Sequence, residues 1–435
     1  MPNDTMTPLE DRLAQLLSYL GLSRVHIAGR MPTDFAALVA KHPEVVASVT
    51  LVSPATAPPA AWRSLGKRLL VFNGDAGPQA QTMARTLAAF PNAVIEPLPG
   101  FEAIPWADVV AEHGERIATT MTRFLGADSA VSALRLKQGD SEAAGVTCTV
   151  RGSGPPLLLF PLALAPSQWE PIEATLAKRF TTISIGGPYV GIVASLEARS
   201  RTGYMNVVQA LIERARVEPG DAVLEVGCGP GSLVRWLARR TNAANRIVGA
   251  DINRYLLREA AALAKREGLS IEFREGNAES LPFPDASFNV TFSSTVMEEV
   301  DADRMLAEMV RVTKPGGRVA VAVRGEDVPN WFNVDASAAV MAKVSNVHMP
   351  VGPKGCGDAS LYARFHRAGL LDVQMFPQFA AIQDLYWLRI VNERASSVLS
   401  PAEVVEWKAA VQRAIDTGAF LAAIPHHCAV GTKRG

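Results

Sequence analysis

Three glycines at alternate positions, Gly227, Gly229 and Gly231, follow an apolar run carrying one acid, Glu225, and lead into a helical pattern. Apolar run, glycines and helix pattern read as strand, turn and helix. Glycine lacks Cβ and tolerates positive φ, so this turn lets backbone approach a ligand closely. The next apolar run, from Arg246, ends in Asp251, with Ile252 after it. An acid about twenty residues beyond a glycine turn is placed to accept hydrogen bonds from both hydroxyls of a ribose. The pair points to a nucleoside cofactor.

Details narrow the choice. A dinucleotide fingerprint needs a glycine at position 232, where Ser232 stands, and a phosphate-cradling loop needs a lysine that does not follow. Further along come a strand over 270–275, Gly276-Asn277-Ala278, a strand over 290–295 with Ser293 and Ser294, and the run 312–319 with its Lys-Pro-Gly-Gly. The motif Glu-x-Gly-x-Gly-x-Gly with this later order resembles class I S-adenosylmethionine-dependent methyltransferases. Within them it closely resembles the ubiquinone/menaquinone-biosynthesis type, over roughly residues 200–325. The resemblance implies S-adenosylmethionine as cofactor. Glu225, Gly227, Gly229, Gly231, Asp251 and Ile252 would then surround the loop and ribose. Asn277 and Ala278 would meet the adenine edge, and Ser293 or Ser294 would lie beside the methionine moiety. The sulfonium is cationic and carries no pyrophosphate, so an acid beside the loop is useful. Tyr204, in an amphipathic helix read over 197–218, matches an aromatic that covers the cofactor in related enzymes, with core packing the alternative.

Lys+Arg and Asp+Glu are both 43, so no basic face is implied. Nucleic-acid partners usually demand a basic excess, and a small-molecule acceptor is favoured over DNA or RNA. Four cysteines without a Cys-x-x-Cys pair argue against a disulfide framework or zinc ribbon, and no metal is expected. The start lacks a basic-then-apolar signal pattern, and the longest apolar run, 155–166, is too short and proline-broken to span a membrane. A cytoplasmic protein is expected.

In-line methyl transfer needs alignment and exclusion of water. A base is needed only for a poorly ionised acceptor. The candidates are His348, His426, His427, Glu298 and Glu299; the glutamates could instead open a helix, and the paired histidines could precede a last strand at 428–433. Trp331 and Tyr362 could line an aromatic acceptor pocket, built from 324–369 and 380–425 on either side of a strand at 371–376.

Residues 1–195 need a separate account. Strand and helix patterns alternate over 24–125, implying a parallel sheet. Their order resembles the C-terminal half of an α/β-hydrolase, whereas 145–190 resembles that fold's opening strands. The nucleophile elbow reads Gly29-Arg30-Met31-Pro32-Thr33, so methionine stands where a serine is required. Asp75 matches the acid, but Phe101 replaces the histidine and Pro161-Leu162 the oxyanion-loop His-Gly. Methionine is no hydroxyl nucleophile. The expected fold class is α/β. An inactive, circularly permuted α/β-hydrolase-like domain spans 1–195, with 1–130 and 145–195 pairing in one sheet across a polar junction at 126–144. A Rossmann-like methyltransferase domain follows over 196–435. The roles left to the first domain are structural: homo-oligomerisation, a lid or a binding surface. The expected function is methyl transfer to oxygen or carbon of a small molecule. A bifunctional hydrolase–methyltransferase and a non-catalytic cofactor-binding sensor are the alternatives.

Overall fold

The computed structural model describes residues 7–54, 56–103, 108–127, 131–133, 135–200, 202–242, 244–382 and 385–435. The backbone divides into two compact units, Met1–Ala194 and Ser195–Gly435. No helix among the described residues is long and apolar enough to cross a membrane.

The first unit contains strands β1 (Val25–Gly29), β2 (Val46–Val52), β3 (Leu69–Ala76), β4 (Val94–Glu102), β5 (Gly139–Ala143), β6 (Val146–Arg151), β7 (Pro156–Leu159) and β8 (Thr181–Gly186). All belong to one sheet ordered β4-β3-β2-β1-β7-β8-β6-β5. The central strand β1 pairs parallel with both β2 and β7, although β7 lies far downstream in the chain. Both β1 and β2 are buried along their whole length. Parallel strands covered by helices on both faces show this continuous burial. Side chains alternate between faces: Ile27 and Leu158 join one apolar cluster, Ala28 and Leu159 the other. The junction expected over 126–144 is not polar linker throughout. Its end forms β5, a polar edge strand antiparallel to β6.

The second unit contains β9 (Ala222–Val226), β10 (Arg246–Asp251), β11 (Glu272–Glu275), β12 (Phe288–Ser294), β13 (Thr313–Arg324), β14 (Trp331–Phe332), β15 (Leu371–Ile382) and β16 (Ala422–Thr432). Their order is β11-β10-β9-β12-β13-β16-β14, with β15 also paired to β16. β9 to β13 are parallel, whereas β16 is antiparallel to β13, β14 and β15. The chain leaves β9 for β10 on one side and later returns to β12 on the other. That topological switch opens a crevice at the strands' carboxyl ends, where α/β sheets bind ligands.

Three expectations change here. The helix read over 197–218 is two, Gly191–Ala198 and Tyr204–Ala215. Gly203 lies between them against β15, where a Cβ would overlap the Ala381 carbonyl. The last strand begins at Ala422, so His426 and His427 lie inside it rather than before it. Strand β15 likewise runs on to Ile382, and the helices Leu385–Val398 and Pro401–Asp416 fill the turn back into β16. These helices share a small core of their own, including Val391, Trp407, Val411 and Phe332.

Candidate cofactor and acceptor site

The glycine turn is held open by backbone geometry and by one carboxylate. Gly227, Gly229 and Gly231 all have positive φ, at 76°, 53° and 76°. A Cβ at Gly227 would overlap the Val296 side chain, whereas one at Gly229 would meet only Leu196 Cδ1, at 3.4 Å. Gly229 therefore leaves an open cradle. Asp251, at the end of β10, accepts the Gly229 N–H on Oδ2 and the Asn253 N–H on Oδ1, both at 2.8 Å. Each oxygen keeps a further lone pair. Burial raises the Asp251 pKa, and the Asn253 and Gly229 N–H groups oppose that rise. The neighbouring Ile252 is 68% exposed.

Glu225 lies beneath the turn, 2% exposed. It meets the Val234 N–H in the first turn of the helix Ser232–Arg240, and its buried Oε2 has no hydrogen bond among the described residues. Burial pushes its pKa well up, favouring the neutral acid. Asn277 turns its Oδ1 back on the Glu279 N–H at 2.8 Å, shaping the loop after β11, and Ala278 is buried beside it.

The two serines at the end of β12 divide their work. Ser293 donates to the Val226 carbonyl at 2.7 Å, spending its hydroxyl inside the sheet. Ser294, on the opposite face, shares a 2.5 Å hydrogen bond with the Tyr204 hydroxyl. The Tyr204 ring meets His426 edge-on, with centroids 5.3 Å apart. The Arg199 guanidinium lies 5.4 Å from the Tyr204 centroid and donates to Thr295 Oγ1 at 2.9 Å. Sequence reasoning missed Arg199; it sits outside every motif.

The base candidates separate. Glu298 is fully buried and accepts the Arg324 N–H at 2.7 Å, a structural engagement. Burial raises its pKa against the pull of Arg324. Glu299 is exposed, and neither glutamate opens a helix, because the next one starts at Ala302 with Asp301 as its cap. His426 and His427 are adjacent in β16 and project from opposite faces. His426 Nδ1–H donates to the Ile424 carbonyl at 3.0 Å, leaving Nε2 as the basic nitrogen. His427 Nε2–H donates to Asp327 at 2.6 Å, and its buried Nδ1 has no partner among the described residues. His348 is partly buried, its pKa lowered by burial against the nearby charges of Glu326 and Asp327. Trp331 and Tyr362 are 51% and 44% exposed, Tyr362 edge-on to His366, so neither lines an enclosed aromatic pocket. No cluster of three metal-ligating side chains occurs among the described residues.

Burial, reinforced by Arg324, Arg199 and His427, pushes His426 down to about 3. The unfolded chain therefore takes up a proton near pH 6.5 that the folded chain refuses. Stability is full above that pH and falls as pH drops from about 6.5 toward 3. His426→Gln is expected to flatten this slope in urea denaturation series across that range. An unchanged slope would mean the imidazole is not buried as described.

Residues 223–317 match a protein family described as "Methyltransferase domain". Methyltransferase GfsG of Streptomyces halstedii is 38% identical over 125 residues, covering 27% of this chain and 44% of its own length. The ubiquinone/menaquinone biosynthesis C-methyltransferase UbiE of Legionella pneumophila (strain Paris) is 38% identical over 113 residues, covering 25% of this chain and 45% of its own. The chain thus spans less than half the length of these curated relatives. Among solved structures, the YcgJ protein from Bacillus subtilis aligns over 53% of this chain and 99% of its own, at 19% identity and TM-score 0.38. The matched stretch runs from β9 through the glycine turn, Asp251, Asn277 and β12 into β13, the segments that build the crevice. The second unit accordingly carries a class I S-adenosylmethionine-dependent methyltransferase core.

Proposed function

We propose that the protein transfers the methyl group of S-adenosylmethionine to oxygen or carbon of a small-molecule acceptor. The observation that carries this reading is the open Gly229 cradle, braced by the Asp251 carboxylate, with the Tyr204–Ser294 pair at the end of the neighbouring strand β12. When bound, the cofactor supplies an electrophilic methyl. The chain's part is to bind, orient and exclude water. Asp251, with Ile252 beside it, takes the ribose, and Asn277 and Ala278 border the adenine. Glu225 and Ser293 stiffen the strands beneath, and Ser294 with Tyr204 closes the methionyl end. Arg199 offers the charge that a methionyl carboxylate would pair with.

Acceptor chemistry belongs beside His426, on the Tyr204 face of the rim formed by β13, β15 and β16. His426 Nε2 is neutral and can accept a hydrogen bond from an acceptor hydroxyl. Its low basicity means it positions such a hydroxyl rather than deprotonates it. His427, held by Asp327 on the opposite face, and His348 beyond it are the alternative positions for a base. Glu298 and Glu299 fit that role less well.

Arg199 supplies the test. S-adenosylhomocysteine carries the amino-acid carboxylate, and 5′-methylthioadenosine lacks it. Arg199→Met is expected to weaken S-adenosylhomocysteine at least about tenfold, the loss of one charge-assisted hydrogen bond, while 5′-methylthioadenosine stays within about twofold. Equal losses for both ligands in titration calorimetry would remove Arg199 from the site.

For residues 1–195 we propose a circularly permuted α/β-hydrolase-like domain, with 196–435 as the methyltransferase domain. The single sheet supports this, with β5 to β8 completing one side of a layer that β1 to β4 fill on the other. Its catalytic groups are absent from their expected places. Met31 follows β1, Asp75 accepts the Gly100 N–H at 2.7 Å, and Phe101 packs edge-on against His113. Hydrolysis has no nucleophile here, which disfavours a bifunctional enzyme and leaves structural roles such as homo-oligomerisation.

A further inference from the structure

Residues 195–200 run between the two banks of the crevice, and a buried ion pair pins them. On the glycine bank, the Leu196 carbonyl accepts the Ser232 hydroxyl at 3.1 Å, and its side chain is the nearest neighbour of a Cβ placed on Gly229. One residue on, Glu197 Oε2 accepts Arg235 Nη2 at 2.5 Å. The two residues are only 5% and 2% exposed. On the other bank, Arg199 reaches Thr295 just past β12. The strap therefore crosses the place where the methionyl end of the cofactor is expected.

Arg235 is one turn behind the glycine turn on the helix Ser232–Arg240, so its position is fixed relative to the loop. Its second acid, Glu267 at 3.3 Å from Nη1, ties it to the end of the helix Arg254–Arg266 and not to the strap. A buried ion pair seldom adds net stability, because desolvation offsets attraction, but it holds its two elements in one orientation and tolerates no loss of a partner.

We propose that Glu197 and Arg235 form a latch that keeps the strap closed over bound S-adenosylmethionine and sets its residence time. This rests on the cofactor site proposed above. Both are positioning residues, acting through Leu196 and Arg199.

The test uses the full chain and S-adenosylhomocysteine, with dissociation followed by stopped-flow fluorescence and amide hydrogen exchange followed over 195–200. Glu197→Gln is expected to raise the dissociation rate at least about tenfold, as loss of a charged hydrogen bond does, and to abolish ligand-dependent protection of the strap amides. Glu267→Gln, which removes the other acid of Arg235, is expected to stay within about twofold of wild type. If E197Q fails to fold, Arg235→Lys, which keeps the charge but loses the fork, gives the same comparison. A dissociation rate unchanged in the folded variant, or an equal rise in E267Q, overturns the latch. Failure of the wild-type chain to bind S-adenosylhomocysteine overturns the cofactor site itself, and the latch with it.

Discussion

Asp251→Ala is expected to raise the Kd for S-adenosylhomocysteine by more than about a hundredfold while leaving the circular dichroism spectrum unchanged. The carboxylate has two tasks. It braces the glycine turn through Gly229 and the following loop through Asn253. In the proposed binding mode its remaining lone pairs take the ribose hydroxyls. A hydrogen bond to a charged group contributes about 1.5–3 kcal/mol, so losing two removes about 3–6 kcal/mol, a factor above a hundred. Asp251→Asn keeps the shape but offers an amide donor toward the Gly229 N–H if its oxygen faces Asn253, so intermediate weakening is expected. Titration calorimetry reads both. A Kd for the alanine variant within about threefold of wild type would remove the ribose assignment.

The second large effect is a contrast between two glycines two positions apart. In Gly227→Ala the new methyl overlaps the Val296 side chain, at a φ of 76°. Left-handed backbone costs about 1–2 kcal/mol and overpacking about 1–3 kcal/mol more, so a markedly less stable protein is expected. In Gly229→Ala the methyl meets only Leu196 at 3.4 Å, so the stability cost should stay near the backbone term of about 1–2 kcal/mol. That methyl stands in the cradle proposed for the cofactor, and S-adenosylhomocysteine binding should fall more than tenfold. Chemical denaturation and titration on both variants separate the cases. A Gly229→Ala protein that binds normally would mean the open cradle is not the cofactor's.

The elements around the candidate cofactor site were legible because they are local. Val223–Val226, the three glycines and the following helix form one continuous strand–turn–helix, and Asp251 ends the next strand. What tertiary contact decides was not legible. The helix break before Tyr204 is set by Gly203 against Ala381 and by Glu197 reaching Arg235, a partner thirty-eight residues on. Pro377 and Pro425 occur within the long β15–β16 ladder, Pro377 opposite His427 and Phe379 opposite Pro425, although proline is rare in strand interiors. That extension put His426 and His427 inside a strand and onto opposite faces, a separation adjacent residues do not advertise. Trp331 and Tyr362 suggested an aromatic pocket or core packing by type alone, and their exposure rules out the core.

Methyl transfer itself is tested most directly by incubating the full chain with S-adenosylmethionine labelled in its methyl group and a metabolite extract, followed by mass spectrometry. The expected result is one or more small molecules gaining a labelled methyl with wild-type protein and none with Asp251→Ala. Tight cofactor binding by the wild type with no labelled product would contradict the assignment as an enzyme and leave a cofactor-binding sensor. Equal labelling by the Asp251→Ala protein would contradict the site.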